Sequence, residues 1–280
     1  MKLLKTINIT LLLVFIVLFN LETTLAEPTY NVVLTSEVEW EQLNPARSSN
    51  SPMAATLWGD RTGSGPSGFL LKLVDGFKSP PHIHTANYHG VVIKGTVHNA
   101  EPDAKEVYLP AGSFWTQPDG GVHITAAKGS SLAYIEFEGA LDVLPAEEAT
   151  NKETEATVVQ ASSINWVDQP GMPASANGPK IAVLWGSPQH DQLSGTLVKL
   201  PAGFTGMMSS SGSTFHAVVI QGQPKHRVPG EVDVKTMEPG SYFGSKGNSV
   251  HQISCEDGED CMIYVRTEGK FDIIQPPLVK

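Results

Sequence analysis

The stretch that decides the fold is Gly76-Phe-Lys-Ser-Pro-Pro-His82-Ile-His84-Thr-Ala-Asn-Tyr-His89-Gly-Val-Val-Ile-Lys-Gly95, followed downstream by Pro110-Ala-Gly112 and His123. Successive side chains on a β-strand point to opposite faces, so His82 and His84 project to the same side. Imidazole is the commonest neutral ligand for Zn, Fe, Ni and Cu. The spacing therefore predicts one metal site, with candidate ligands His82, His84, His89 and His123.

The sequence contains an internal repeat: six segments recur in the same order 127 to 128 residues apart. Leu57-Trp58-Gly59 corresponds to Leu184-Trp185-Gly186, and His89-Gly-Val-Val-Ile-Lys-Gly95 corresponds to His216-Ala-Val-Val-Ile-Gln-Gly222. The last match pairs His123 with His251. Ordered matches of this kind indicate an internal duplication.

Each copy combines short apolar runs with closely spaced turn signals. The runs are residues 69–74, 90–93 and 132–137 in the first copy and 195–200, 218–220 and 262–265 in the second. Short strands without long helical periodicity predict an all-β fold of two tandem jelly-roll β-barrels. We place the domains at 27–150 and 151–280, with residues 145–161 as a solvated linker or one short helix.

The N-terminus predicts export. Lys2 and Lys5 precede an apolar run, and small residues end at Ala26 before the polar Glu27. This order is typical of a secretory signal peptide over residues 1–26, which places the mature protein in the periplasm or outside the cell. An uncleaved anchor is the alternative, but the run is shorter than the roughly 20 residues that span a bilayer.

Net charge limits the classes of partner, and the two cysteines predict a cross-link. The formal net charge of −10 disfavours nucleic acid and anionic membrane surfaces, because binding to a polyanion needs a basic face. Cys255 and Cys261 flank an acidic loop, and in an exported protein such a pair predicts a disulfide.

These motifs resemble the cupin superfamily over residues 55–140, with a degenerate version over 182–275. Gly76, His82, His84 and Gly95 fit its first motif, and Pro110, Gly112 and His123 fit its second. The segment from Pro110 to His123 is most similar to the metal-binding cupin of ChrR-type anti-sigma factors. The resemblance implies a tandem, or bicupin, protein whose first barrel holds one metal ion.

The chain departs from the motif where cupins carry a glutamate. The ChrR-like spacing puts His89 at that position, whereas a register one residue shorter puts Tyr88 there. Adjacent strand residues cannot both point inward. The second copy keeps His216 but replaces the tyrosine with Phe215, which favours His89 as the ligand.

The second copy has lost the chelating pair. Counting back from His216 puts Ser209 and Ser211 at the positions of His82 and His84, leaving His216 and His251. Serine hydroxyls are weak ligands for transition metals, so we expect the second barrel to hold no metal. His98, His190 and His226 lie in polar surroundings and are expected at the surface.

The ligand set favours Zn or Fe(II) as cofactor, with Ni, Cu and Mn as alternatives. The resemblance implies an oxygenase-like, metal-dependent enzyme acting on a small organic molecule. The alternative is a non-enzymatic sensing or binding cupin in which four histidines close a Zn site, since catalytic sites keep a coordination position open. No residue is assigned a catalytic role. The expected partner is a small molecule. We expect neither nucleic acid nor, after signal cleavage, a membrane as a partner. Homo-oligomer formation stays open.

Overall fold

The computed structural model describes residues 27–150, 156–170, 177–188 and 192–275. The predicted signal peptide at 1–26 and the boundary near Asn151 lie outside the described residues. The described chain consists of strands and four short 3-10 segments, which confirms the all-β prediction. None of its helical segments has the length and apolar character needed to cross a membrane.

The sequence repeat appears as a repeat of strands. The first copy and its connection contain β1 Thr29–Val33, β2 Glu41–Gln42, β3 Met53–Gly59, β4 Ser67–Leu73, β5 His82–Ile83, β6 Tyr88–Ala100, β7 Leu109–Pro110, β8 Phe114–Gln117, β9 Ile124–Phe137, β10 Leu144–Pro145 and β11 Thr157–Val159. The second copy contains β12 Val167–Asp168, β13 Lys180–Gly186, β14 Leu193–Leu200, β15 Thr205–Ser210, β16 Thr214–Gln221, β17 Lys225–Arg227, β18 Lys235–Thr236, β19 Tyr242–Lys246, β20 Ser249–Ser254, β21 Cys261–Glu268 and β22 Phe271–Ile274. The 3-10 segments are Thr35–Glu37, Pro45–Asn50, Ala146–Glu148 and Ala161–Ser163.

Each copy forms a jelly-roll barrel from antiparallel strands. The main sheet of the first barrel has the order β11-β8-β6-β9-β4-β3-β2, with β7 beside β6, and β5 pairs with β10 in a small second sheet. The second barrel has the order β1-β19-β16-β21-β14-β13-β12, opposed by β18-β17-β20-β15-β22. The apolar runs of the sequence lie in β4, β6, β9, β14, β16 and β21.

The two barrels exchange their first strands. The N-terminal strand β1 pairs with β19 of the second barrel, beginning with Thr29 opposite Lys246. Its counterpart β11 pairs with β8 of the first barrel, with Thr157 opposite Thr116. Each barrel therefore takes one edge strand from the segment assigned to the other copy.

The main sheets are buried on both faces. In β4, Phe69 and Leu73 belong to the core inside the first barrel, whereas Leu70 belongs to a core shared by both barrels. In β14, Val198 faces inward and Leu197 joins the shared core. A strand buried on both faces carries a continuous apolar run instead of an alternating one, as these strands do.

An ion pair lies buried at the centre of the barrel interface. The carboxylate of Glu136 on β9 is 3.7 Å from the guanidinium of Arg266 on β21, and both residues are buried. The two residues occupy equivalent positions, since Glu136 pairs with Gly68 and Arg266 pairs with Gly195. The interface therefore has approximate twofold symmetry in its backbone and opposite charges at its centre.

Two tyrosines and two tryptophans surround this pair symmetrically. The hydroxyls of Tyr134 and Tyr264 donate to the two Glu136 oxygens over 3.0 Å and 2.7 Å. Each hydroxyl in turn accepts the indole N–H of one tryptophan, Trp58 at 2.8 Å and Trp185 at 2.9 Å. The Glu136 carboxylate thus has partners for both of its oxygens inside the interface.

The predicted cysteine pair closes the loop between β20 and β21. Cys255 and Cys261 form a disulfide in the structure, with their Cα atoms 6.1 Å apart. The disulfide joins the end of one strand to the start of the next at the wall of the second barrel.

We predict that Arg266→Met will lower the free energy of unfolding by about 3 kcal/mol, because it leaves a buried, unpaired carboxylate. The double variant Arg266→Met/Glu136→Gln should recover most of this loss, since the amide carries no charge, its oxygen accepts from one tyrosine hydroxyl and its NH2 group donates to the other. Urea denaturation measures both effects. Lys225→Met, which breaks the exposed pair with Glu256, is the control and should cost less than about 1 kcal/mol. Equal losses in the single and double variants would contradict the charge argument.

Candidate metal centre

Three of the four predicted histidines come together inside the first barrel. His82 lies on β5, His84 follows it, and His123 precedes β9. The backbones of His82 and His123 form two reciprocal hydrogen bonds of 3.0 Å and 3.1 Å, which fix the two side chains next to each other. One ring nitrogen from each histidine lies within 4.8 Å of the others. All three side chains are buried.

Backbone carbonyls hold one nitrogen of each ring. His82 Nδ1 is 2.9 Å from the carbonyl oxygen of Pro80, and His123 Nδ1 is 3.1 Å from that of Gly121. His84 Nδ1 contacts the carbonyl oxygen of Asp142. A carbonyl can only accept a hydrogen bond, so in each ring Nδ1 carries the proton. The lone pair of each neutral ring is therefore on Nε2, the tautomer suited to metal ligation.

The Nε2 atom of His123 is buried and has no hydrogen-bond partner among the described residues. An unpaired buried nitrogen costs free energy unless another group fills its coordination. Three imidazole nitrogens without a carboxylate suit Zn, Fe(II), Ni or Cu better than Ca or Mg. The residues present therefore fit a transition-metal ion.

Burial keeps these rings neutral. Desolvation lowers the pKa of His84 to about 4, and it lowers the pKa of His82 and holds that of His123 well below the usual range. The positive charges that the neighbouring rings would carry act in the same direction on His84 and His123. All three histidines are thus deprotonated at neutral pH, as metal ligands must be.

His89, the favoured fourth ligand, does not join the group, and this prediction needs correction. Its ring stacks on Trp185 of the second barrel with centroids 4.3 Å apart, and its Nε2 is 3.2 Å from the Glu138 carboxylate. Its neighbour Tyr88 points the other way, with ring centroids 5.2 Å from His84 and 5.7 Å from His123. The register with Tyr88 inward is the one that the structure adopts.

Tyr88 anchors a polar network beside the triad. Its hydroxyl donates to Asn99 Oδ1 over 2.8 Å, and Asn99 Nδ2 donates to Gln117 Oε1 over 3.0 Å. Gln117 Nε2 donates over 3.2 Å to the Gly121 carbonyl, the same carbonyl that holds His123. Burial raises the pKa of Tyr88 well above its usual value, so the phenol stays protonated. The network orients His123 through side chains of two strands, β6 and β8, and the backbone carbonyl of Gly121.

A cavity of about 280 Å³ opens onto the triad. His82, His84 and Tyr88 form part of its lining, together with Trp115. Most of the remaining wall consists of aliphatic and aromatic side chains, including Phe69, Leu71, Phe137 and Leu141. A concave, largely apolar site with a few convergent polar groups is the usual form of a small-molecule site.

In the second barrel the structure corrects the predicted equivalences by one residue. His251 faces Met208 across the strands, as His123 faces His82, so Met208 and Ser210 stand at the chelate positions instead of Ser209 and Ser211. His216 lies at the barrel interface, stacked on Trp58 with centroids 4.1 Å apart. It is the symmetric counterpart of His89.

Two histidines expected at the surface are buried. His226 is 2.9 Å from His251 inside the second barrel, and His98 contacts the carbonyl oxygen of Val107 over 3.1 Å. His190 lies outside the described residues. The polar flanking sequence misled the prediction. His226 is buried against His251 of β20, and His98 is buried against the segment before β7, with its Nε2 lacking a hydrogen-bond partner among the described residues.

Solved structures of cupin-type proteins share the jelly-roll architecture of this chain. A proposed dioxygenase from Nostoc punctiforme superimposes with a TM-score of 0.64 at 15% identity, over 89% of this chain and 87% of that one. The Ylba protein of E. coli, from the DUF861 family, gives 0.60 at 12%, over 85% and 90%. A single-residue mutant of Bacillus subtilis oxalate decarboxylase gives 0.52 at 12%, over 87% and 78%. Identities this low establish the fold alone.

The model of the family described as Domain of unknown function (DUF4437) matches residues 31–274, and the chain belongs to that family. No curated protein matches its sequence. The match spans both barrels, including the triad and the interface network.

We predict that the metal-free protein loses stability as the pH falls from about 6.5 towards 4. The unfolded chain takes up protons on histidine in this range, whereas the folded chain does not, so stability rises with pH. His84→Gln should reduce the stability difference between pH 7.5 and pH 5 by about 2 kcal/mol. Urea denaturation of metal-free protein at both values measures this. Val143→Ala, an exposed position at the cavity, is the control. An unchanged difference in His84→Gln would contradict the assignment.

Proposed function

We propose that this DUF4437 protein is an exported bicupin that binds one divalent transition metal in its first barrel and acts as an oxygenase-like enzyme on a small organic molecule. The observation that carries the proposal is the convergence of three buried imidazoles whose Nδ1 atoms are all held by backbone carbonyls. Fe(II) and Zn are the favoured metals, with Ni, Cu and Mn as alternatives.

The ligand number favours an enzyme over a closed metal site. His82, His84 and His123 would hold the ion, and three protein ligands leave coordination positions for a substrate or co-reactant, which is the pattern of catalytic metal sites. A bound metal of this type supplies Lewis-acid chemistry and, if it is iron, one-electron chemistry with dioxygen. The surrounding residues bind the organic substrate, exclude water and keep the ligands neutral.

The chain's own groups limit the acid–base chemistry available at the site. Among the described residues no carboxylate side chain lines the cavity. Tyr88 remains a protonated phenol that donates to Asn99, so it holds its position instead of accepting a proton. The apolar wall suits an organic substrate with a hydrocarbon body, and the described cavity residues supply no carboxylate as general base.

The alternative function is a non-enzymatic sensing cupin with a closed four-histidine Zn site. That site needs His89 as its fourth ligand, but the His89 ring stacks on Trp185 at the barrel interface. Closure would require a ligand that the described chain does not place at the triad. The open site is therefore the better-supported proposal.

We predict that protein purified from its native compartment carries one metal ion per chain by elemental analysis. His84→Ala and His123→Ala should lose that metal, because each removes one of three ligands. His89→Ala and His89→Glu are the matched controls and should retain it, since His89 lies outside the ligand set. Metal lost from the His89 variants, or X-ray absorption showing four imidazoles and no further light donor, would favour the closed site instead.

Export is tested separately from metal binding. We predict that N-terminal sequencing of the mature protein begins at Glu27, because cleavage after Ala26 removes the signal peptide and leaves β1, which starts at Thr29, intact. Recovery of Met1 in the membrane fraction would instead support the anchor. An unprocessed N-terminus in the cytoplasm would contradict export of either kind.

A further inference from the structure

The cavity above the triad is apolar along most of its wall, and one positively charged side chain, the half-exposed Arg47, borders it. Arg47 is the only charged side chain that lines it within the described part of the chain. It lies on the 3-10 segment Pro45–Asn50, which connects β2 to β3. Because Arg47 is half-exposed, its guanidinium can stay hydrated without a ligand and can still meet an anionic group that enters the cavity.

The protein holds the guanidinium in place without neutralising it. One Arg47 amino group donates to the Lys78 carbonyl oxygen over 3.0 Å, and the guanidinium carbon lies 4.9 Å from the centre of the Phe77 ring. No carboxylate of the described residues forms a salt bridge with Arg47. The neighbouring Lys78 is already paired, with its Nζ 3.3 Å from Glu106. Arg47 is therefore a positioned cation whose charge is not matched.

Arg47 and the triad are separated along the same wall. Lys78, whose carbonyl holds the guanidinium, pairs with Ala126, whereas His82 pairs with His123. These partner positions are three residues apart on extended chain, which corresponds to roughly 10 Å. A ligand can therefore place one end near Arg47 and the other near the three histidines.

We propose that this cavity binds a small amphipathic carboxylate, with its carboxylate on Arg47 and its apolar body extending over Phe77 and Leu71 towards the triad. The proposal rests on the proposed function for the reacting end of the molecule and deepens it by naming the substrate class. Arginine presents a planar donor fork that matches a carboxylate, and the apolar walls favour a hydrocarbon body. Neutral sugars and other strongly hydrated molecules would lose hydrogen bonds on entering this cavity.

The test uses octanoate, octanol and octylamine, which share one hydrocarbon chain and differ in charge. Isothermal titration calorimetry is done on metal-free protein, so that a metal cannot contribute to carboxylate affinity. We expect octanoate to bind about tenfold more tightly than octanol, and octylamine to bind most weakly. In Arg47→Met the preference for octanoate should disappear while octanol binding is retained. Arg47→Lys should keep part of the preference for octanoate, because lysine retains the positive charge but lacks the bidentate geometry of arginine.

Arg227→Met is the matched control, because Arg227 is an exposed arginine of the second barrel that contacts Gln252. It should leave all three affinities unchanged. Equal binding of octanoate and octanol to the wild type, or an octanoate preference that survives in Arg47→Met, overturns the proposal. The wild-type comparison decides the question even if a variant folds poorly.

The outcomes separate this proposal from the proposed function. If octanoate binds through Arg47 but the protein carries no metal at the triad, the ligand class stands and the enzyme proposal fails. If the metal binds through His82, His84 and His123 but the three ligands bind equally, the enzyme proposal stands and the ligand class fails.

Discussion

The structure depends on one buried contact, the Glu136–Arg266 pair at the centre of the barrel interface. The duplicated sheets approach each other with near twofold symmetry, so equivalent residues meet at the axis. Two identical charges there would repel in a medium of low dielectric. The chain instead carries an acid in one copy and a base in the other, and it supplies both Glu136 oxygens with tyrosine donors. Each copy therefore needs the other at this position.

The same interface explains why the second copy retains a histidine equivalent to His89. His89 and His216 recur in the repeat because both contribute to the contact between barrels, each stacked on the tryptophan of the opposite copy. Recurrence in both copies indicated a shared role, and the shared role is packing. His82 and His84, which the second copy replaces with Met208 and Ser210, belong to the candidate metal site of the first barrel.

The sequence predicted the all-β fold, the internal repeat and three members of the site because strand periodicity and motif spacing are local properties. It wrongly favoured His89 over Tyr88, because the sheet is buried on both faces and periodicity does not distinguish the barrel interior from the barrel interface. Arg47 was missed because it lies in a connection without any periodic pattern. Its relation to the triad arises only when the strands close into a barrel. The polar network from Tyr88 to Gln117 joins residues of different strands and has no signature in the sequence.

The exchange of β1 and β11 makes folding depend on pairing between distant parts of the chain. The first strand of the described chain, β1, pairs with β19, so its pairing closes a loop that contains most of the described residues. Closing such a loop costs entropy that only late contacts can offset, which slows folding and leaves sheet edges open in the meantime. The first barrel likewise gains its edge strand β11 only after the chain has left that barrel. Until both exchanges are complete, β19 and β8 each lack one edge partner, and an unpaired sheet edge is a site for non-native pairing.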